Sequence, residues 1–167
     1  MSGRIFLFGD DIDTDQLAPG AYMKGGLAEL AKHCLEGVRA DFPDQVRPGD
    51  IVVAGSNFGM GSSREQAAEA LRYLGVAGVV AKSFAGIFYR NAINLGLPVL
   101  VAGNLSGVRD GARAWLDIEA GALDLEGERR VALEPLPDNL KRMLADGGLV
   151  PHLKKRFAAG RPNEERA

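Results

Sequence analysis

The chain has 167 residues, the length of a single domain, and at that size it can bury a core without disulfide or metal staples. Its 20 basic and 22 acidic side chains nearly cancel, a balance that offers nothing to nucleic acid or to an anionic membrane surface. The one cysteine, Cys34, can neither form an internal disulfide nor hold an iron–sulfur cluster, and His33 and His152 lie far apart, so no metal site is expected within this chain.

Arg4 to Phe8 is an apolar run that predicts a buried first strand. It follows no cationic leader, and no segment approaches the roughly 18 apolar residues of a membrane helix, so a cytoplasmic location is expected. Residues 9–26, rich in Asp, Gly and Pro, read as a long loop, and Leu27 to Leu35 predicts a short helix ending near Gly37. Arg47-Pro48-Gly49-Asp50 is a turn into a second strand, Ile51 to Ala54. The glycine-rich segment Gly55 to Gly61 then leads through Ser62-Ser63-Arg64-Glu65 into a helix ending at Tyr73, with Ala67, Ala70, Leu71 and Leu74 as its apolar stripe. Val76 to Ala81 predicts a third strand. Phe84 to Leu95 predicts a helix with Phe84, Ile87, Phe88 and Ile93 turned inward, and Pro98 to Ala102 a fourth strand.

After Gly111 the hydrophobic period shortens to two. Leu116/Ile118, Leu123/Leu125 and Val131/Leu133 alternate with polar residues, and turns at Ala120-Gly121 and Glu126-Gly127 make this an antiparallel meander with one wet face. Asp138 to Ala145 predicts a closing helix. Gly147-Gly148 and a short basic helix with Lys154, Lys155 and Arg156 follow as a solvated tail with fraying last residues. Strand–loop–helix units followed by a meander define an α/β fold with a mixed sheet, one domain over residues 1–167 with its core in 1–150 and a basic tail in 151–167.

The segment Gly55-Ser56-Asn57-Phe58-Gly59-Met60-Gly61-Ser62-Ser63 fits none of the common glycine motifs. A phosphate-binding Walker loop would need glycine at Met60 and a following lysine. A dinucleotide fingerprint would need glycine at Arg64, and a hydrolase nucleophile elbow would need it at Glu65. Asp11-x-Asp13-x-Asp15 is no calcium loop, because Gln16 stands at the required glycine and Tyr22 at the bidentate acid. What is left is a glycine-rich turn that delivers two serines and an arginine to a helix start. Unpaired N–H groups and the positive dipole end favour an anion there, and the planar fork of Arg64 suits a carboxylate. A capping box, Ser62-x-x-Glu65 or Ser63-x-x-Gln66, explains one serine and one acid but not the whole cluster. On spacing alone both readings stand.

Asn57-Phe58-Gly59-Met60-Gly61-Ser62-Ser63-Arg64-Glu65 resembles the signature of the aconitase and isopropylmalate dehydratase swivel domain. Two more stretches resemble the same family in order and spacing. One is Gly9-Asp10-Asp11-Ile12-Asp13-Thr14-Asp15-Gln16 with Pro19; the other is Ser83-Phe84-Ala85-Gly86-Ile87-Phe88-Tyr89-Arg90-Asn91-Ala92-Ile93-Asn94 with Gly96-Leu97-Pro98. The likeness runs over about residues 3–150. Met60, Gln66 and Gly86 depart from residues common in relatives, while Gly-Ser-Ser-Arg-Glu is intact.

The resemblance implies a single swivel-type domain of three layers, β/β/α, acting as the small subunit of a hydro-lyase on hydroxy di- or tricarboxylates. It implies a large iron–sulfur subunit as partner, in a heterodimer or heterotetramer. The four-iron four-sulfur cluster sits on that partner and none is bound by this chain. By position it makes Ser63 the catalytic base, and Ser62, Arg64 and Asn57 substrate-binding residues. It places Tyr22, Met23 and Lys24 where the family's substrate-selecting loop begins; Met23 suits apolar isopropylmalate, the first expectation, and Lys24 an extra carboxylate as in homoaconitate or methyl-substituted citrates. Asp13, Thr14 and Asp15 are candidates for lining the site. A stand-alone carboxylate-binding module is the competing reading.

Overall fold

In the computed structural model, which describes residues 2–127 and 129–160, the β-branched runs of the first hundred residues form a parallel core. Strand β1 (Gly3–Leu7) pairs with β2 (Ile51–Ala54), β2 with β3 (Gly78–Ala81) and β3 with β4 (Val99–Val101), all parallel. Such strands are buried on both faces, which is why they read as unbroken apolar runs. The pleat separates two cores. Phe6, Val52, Val79 and Val99, which lie side by side in register, face the helices. Ile5, Ile51, Val53, Val80 and Leu100 face the other way.

The meander covers that second face. Strand β5 (Arg113–Asp117) runs antiparallel to the free edge of β1, followed by β6 (Ala122–Leu125) and β7 (Arg129–Ala132), so the order is β4-β3-β2-β1-β5-β6-β7. The sheet curls until Ala114, Leu123, Val131 and Leu133 pack behind the parallel strands, and the Glu134 N–H donates to the Val101 carbonyl at 2.8 Å. The result is a mixed α/β fold with helices, parallel strands and meander in layers. Buried Asp50 ties the starts of β1 and β2 by accepting the Arg4 and Arg47 N–H groups, each at 2.8 Å.

Seven helices are found among the described residues: α1 (Thr14–Leu17), α2 (Leu27–Ala31), α3 (Phe42–Gln45), α4 (Glu65–Tyr73), α5 (Gly86–Asn94), α6 (Asp138–Ala145) and α7 (Leu149–Ala159). The alanine-rich inner face of α4 (Ala67, Ala68, Ala70) brings this helix close against its neighbours, with Leu71 filling the space beside it.

Three expectations change. The loop over 9–26 contains α1 and a 3-10 turn (Gly20–Gly25), because Asp13 and Gln16 form a reciprocal capping box. The helix from Leu27 stops at Ala31; Leu35 takes φ +59° and gives its N–H to the Gln16 carbonyl at 2.8 Å, a tertiary bond that outweighs continuation of the helix. Ile87 points outward and is 46% exposed, since α5 begins only at Gly86 and its phase is set by buried Phe88. The expected short basic helix is α7, which runs to Ala159, and the expected fraying of the last residues falls on positions 161–167, outside the described residues.

Candidate functional site

The three stretches singled out in the sequence follow the carboxyl ends of β1, β2 and β3. These strands are neighbours, so their loops lie side by side, the usual location for ligands in such sheets. The pairing continues past the sheet. Asp11 N–H donates to the Ser56 carbonyl at 2.9 Å, Gly59 N–H to Ile12 at 2.7 Å and Thr14 N–H to Met60 at 2.8 Å. On the other side Phe58 N–H donates to Ser83 and Ala85 N–H to Phe58. The glycine-rich loop is thus the middle of three zipped segments.

Phe58 anchors it. The ring is fully buried, with the Phe88 ring 5.2 Å away and the Phe84 ring 6.0 Å away, both edge-on. Burial of a phenylalanine stabilises by about 1.5–3 kcal/mol, more than enough to hold a short loop in place. The chain then turns sharply at Gly59 (φ +82°) and Gly61 (φ +107°), conformations that side chains resist. A Cβ on Gly59 would stand 2.2 Å from the Phe88 ring, and one on Gly61 would stand 3.0 Å from the Thr14 hydroxyl.

Ser62 and Ser63 emerge exposed from this turn, directly before α4. The N-cap of α4 is Arg64, with no side-chain cap bond, so neither serine is spent on a capping box. The Ser62 N–H donates to Thr14 Oγ1 at 3.1 Å, and the two hydroxyls lie 3.2 Å apart. Arg64 reaches back over α1: its Nη1 donates to Asp15 Oδ1 at 2.7 Å and to the Ala18 carbonyl at 3.0 Å. That guanidinium, with the Gly20 N–H, holds the Asp15 carboxyl below its ordinary range. Among the described residues nothing engages Nε or Nη2 of Arg64, which leaves a two-pronged edge for a carboxylate. The Ser63 hydroxyl, lying between two tethered neighbours, also has no partner among the described residues.

The other sequence-derived candidates are placed as follows. Asn57 adopts φ +62°; its N–H donates to Ser83 Oγ at 2.7 Å and its Nδ2 to Asp11 Oδ1 at 3.2 Å, so its amide braces the loop. Asp13 is occupied as the cap of α1. Buried Thr14 and ion-paired Asp15 hold Ser62 and Arg64. In the 3-10 turn that follows, Tyr22 stacks on His33 with centroids 3.5 Å apart, Met23 packs against the helical core and Lys24 is exposed. Two bracing residues had no assigned role in the sequence, Ser83 and Asp10, whose Oδ1 accepts the Ser56 N–H at 2.7 Å. Both are ordinary turn residue types, and the one available signal was their place in the resembling stretches.

A helix N-terminus, an open arginine edge and an unengaged hydroxyl are together chemically suited to a carboxylate. The aconitase C-terminal domain model matches residues 23–103. The methanogen homoaconitase small subunit of Methanothermobacter thermautotrophicus is 47% identical over 165 residues, spanning 98% of this chain and 96% of that protein. The 3-isopropylmalate dehydratase small subunit 1 of Thermotoga maritima is 47% identical over 156 residues, 92% of this chain and 94% of that one. The crystal structure of 3-isopropylmalate dehydratase (leuD) from Methanocaldococcus jannaschii superposes with a TM-score of 0.89 at 44% identity, covering 95% of both chains. The chain belongs to the aconitase C-terminal domain family, among its separate small subunits.

Proposed function

We propose that this chain is the small subunit of a 3-isopropylmalate dehydratase, the hydro-lyase that interconverts 2- and 3-isopropylmalate by dehydration and rehydration in leucine biosynthesis. The observation that carries the reading is the Ser63 hydroxyl, unengaged among the described residues, between tethered Ser62 and the Arg64 edge at the start of α4. Full-length relatives bearing that name support the substrate.

Ser63 Oγ, as the base, takes the proton from the carbon that carries a carboxylate and is adjacent to the hydroxyl-bearing carbon, and returns it in hydration. Electron density moves toward that carboxylate as the C–H bond breaks. The Nε/Nη2 edge of Arg64 and the Ser62 hydroxyl bind it there, so their contacts strengthen with the developing charge. The α4 N–H groups and Arg64 favour the ionised serine.

An iron–sulfur cluster does not fit the donors of this chain. Cys34 is fully buried, burial pushes its thiol upward, and among the described residues no group of three or more His, Cys, Asp or Glu side chains is arranged to hold a metal ion. We assign the cluster to a large-subunit partner, where it would supply the Lewis acid that takes up the hydroxyl as the C–O bond breaks and the alkene forms, and gives it back in hydration. Among the described residues no helix is long and apolar enough to cross a membrane.

A homoaconitase-type substrate is favoured by one observation, the exposed Lys24 beside a partly buried Met23 that packs against the core. Anaerobic reconstitution with the candidate large subunit decides the matter. Formation of the unsaturated acid is followed by ultraviolet absorbance on isopropylmalate, homocitrate and dimethylmalate. Turnover of isopropylmalate that requires both chains is expected. Turnover of homocitrate alone transfers the assignment to homoaconitase, and carboxylate binding without turnover of any of them leaves a binding module.

A further inference from the structure

Thr14 is 3% exposed, lies 48 residues from Ser62 in sequence, and is bonded to the serine segment three times. Its N–H donates to the Met60 carbonyl at 2.8 Å, its Oγ1 accepts the Ser62 N–H at 3.1 Å, and the same oxygen shares a proton with the Ser62 hydroxyl at 3.2 Å. These bonds fall before Ser63 in the chain. The Arg64 bonds to Asp15 and to the Ala18 carbonyl fall after it, and they end on the same short helix, α1, and its C-cap. Ser63 is therefore the one residue of 62–64 whose side chain α1 does not grip. Gly61 fits this arrangement: a Cβ there would stand 3.0 Å from Thr14 Oγ1, so only glycine gives the hydroxyl its approach without displacement.

We infer that Thr14 is the positioning residue of the serine pair: its hydroxyl fixes Ser62 and so sets the direction in which the following Ser63 hydroxyl points. Thr14 touches no substrate. A β-branched side chain has few χ1 settings, and the bonds from Thr14 Oγ1 to the Ser62 N–H and hydroxyl fix where its oxygen stands, which makes it a stiff support for a reacting group. Valine keeps that shape and removes only the oxygen, leaving the Ser62 N–H without its acceptor. A base displaced by a fraction of an ångström loses in-line approach to the C–H bond, and misplacement of about 1 Å costs on the order of 100-fold in rate.

The inference rests on the proposed base role of Ser63, and the test separates the two. The reconstituted two-subunit enzyme is assayed with Thr14→Val, Thr14→Ser and Ser63→Ala, and amide hydrogen exchange at Ser62 is measured in the full small-subunit chain. Thr14→Val is expected to lower kcat by on the order of 10- to 100-fold with KM within a factor of about three. It should also abolish protection of the Ser62 amide, while Thr14→Ser restores most of both. A Thr14→Val enzyme with wild-type kcat, in an assembly that Ser63→Ala inactivates, overturns the positioning role and leaves the base intact. Equal losses in Thr14→Val and Thr14→Ser overturn it too, because the methyl group would then be what matters. If Ser63→Ala is fully active, the base assignment fails on its own, and an unprotected Ser62 amide in the wild-type chain would then overturn the Thr14 tether.

Discussion

Replacing Gly59 by alanine tests the packing that places the serine turn. The new Cβ faces two penalties. Its backbone sits at φ +82°, where a side chain costs about 1–3 kcal/mol. It also falls 2.2 Å from Cγ and 2.4 Å from Cβ of Phe88, a fully packed ring that cannot swing aside, and overpacking of this kind costs about 1–3 kcal/mol. Together they predict about 2–6 kcal/mol, which at roughly 2–4 °C per kcal/mol for this chain length lowers Tm by on the order of 10 °C. Urea denaturation of the wild type, Gly59→Ala, Phe88→Ala and the double variant closes a thermodynamic cycle. Phe88→Ala alone should cost about 3–5 kcal/mol, and the double variant less than the sum of the two, because removing the ring relieves the contacts with Cγ and Cδ1 and leaves the backbone strain and the 2.4 Å contact with the residue-88 Cβ. A Gly59→Ala protein within about 0.5 kcal/mol of wild type, or strict additivity, would refute the contact between the turn and α5.

In the reconstituted enzyme, Ser63→Ala should lower kcat by about three orders of magnitude with KM little changed, as expected for a base that acts mainly in the transition state; an unchanged kcat removes Ser63 from the chemistry. Arg64→Lys keeps a charge but cannot hold Asp15 and the Ala18 carbonyl while presenting a two-pronged edge, so KM should rise by about 10-fold or more; a wild-type KM makes Arg64 a structural clamp only. His33 is held above its ordinary value of 6.5 by its bond to Glu36, against burial and with help from Glu29. Its folded value being the higher one, the stability it contributes is complete below about 6.5 and is lost as pH rises through the folded value. An NMR titration of the His33 ring should show a midpoint above 6.5 that falls in Glu36→Gln, and a midpoint at or below 6.5 would refute the pairing.

Periodicity and turn chemistry were enough to mark all seven strands, because a sheet buried on both faces leaves unbroken apolar runs and a half-wet meander leaves alternation. Local spacing also carried the serine–arginine cluster and the start of α6 at Asp138. It could not order the layers: nothing within Leu116 to Leu133 states that the meander curls behind β1 to β4, a decision made by the two faces of the pleat at once. Side-chain assignments failed where a long-range bond competes with a local one. Leu35 leaves its helix for the Gln16 carbonyl. The serines, which read equally as caps, cap nothing, because Thr14 and Arg64 already hold their segment. Which residues touch a substrate and which hold those that do is a matter of contacts across 46 to 49 positions of chain, and hydrogen bonds of that reach are formed only by the tertiary fold.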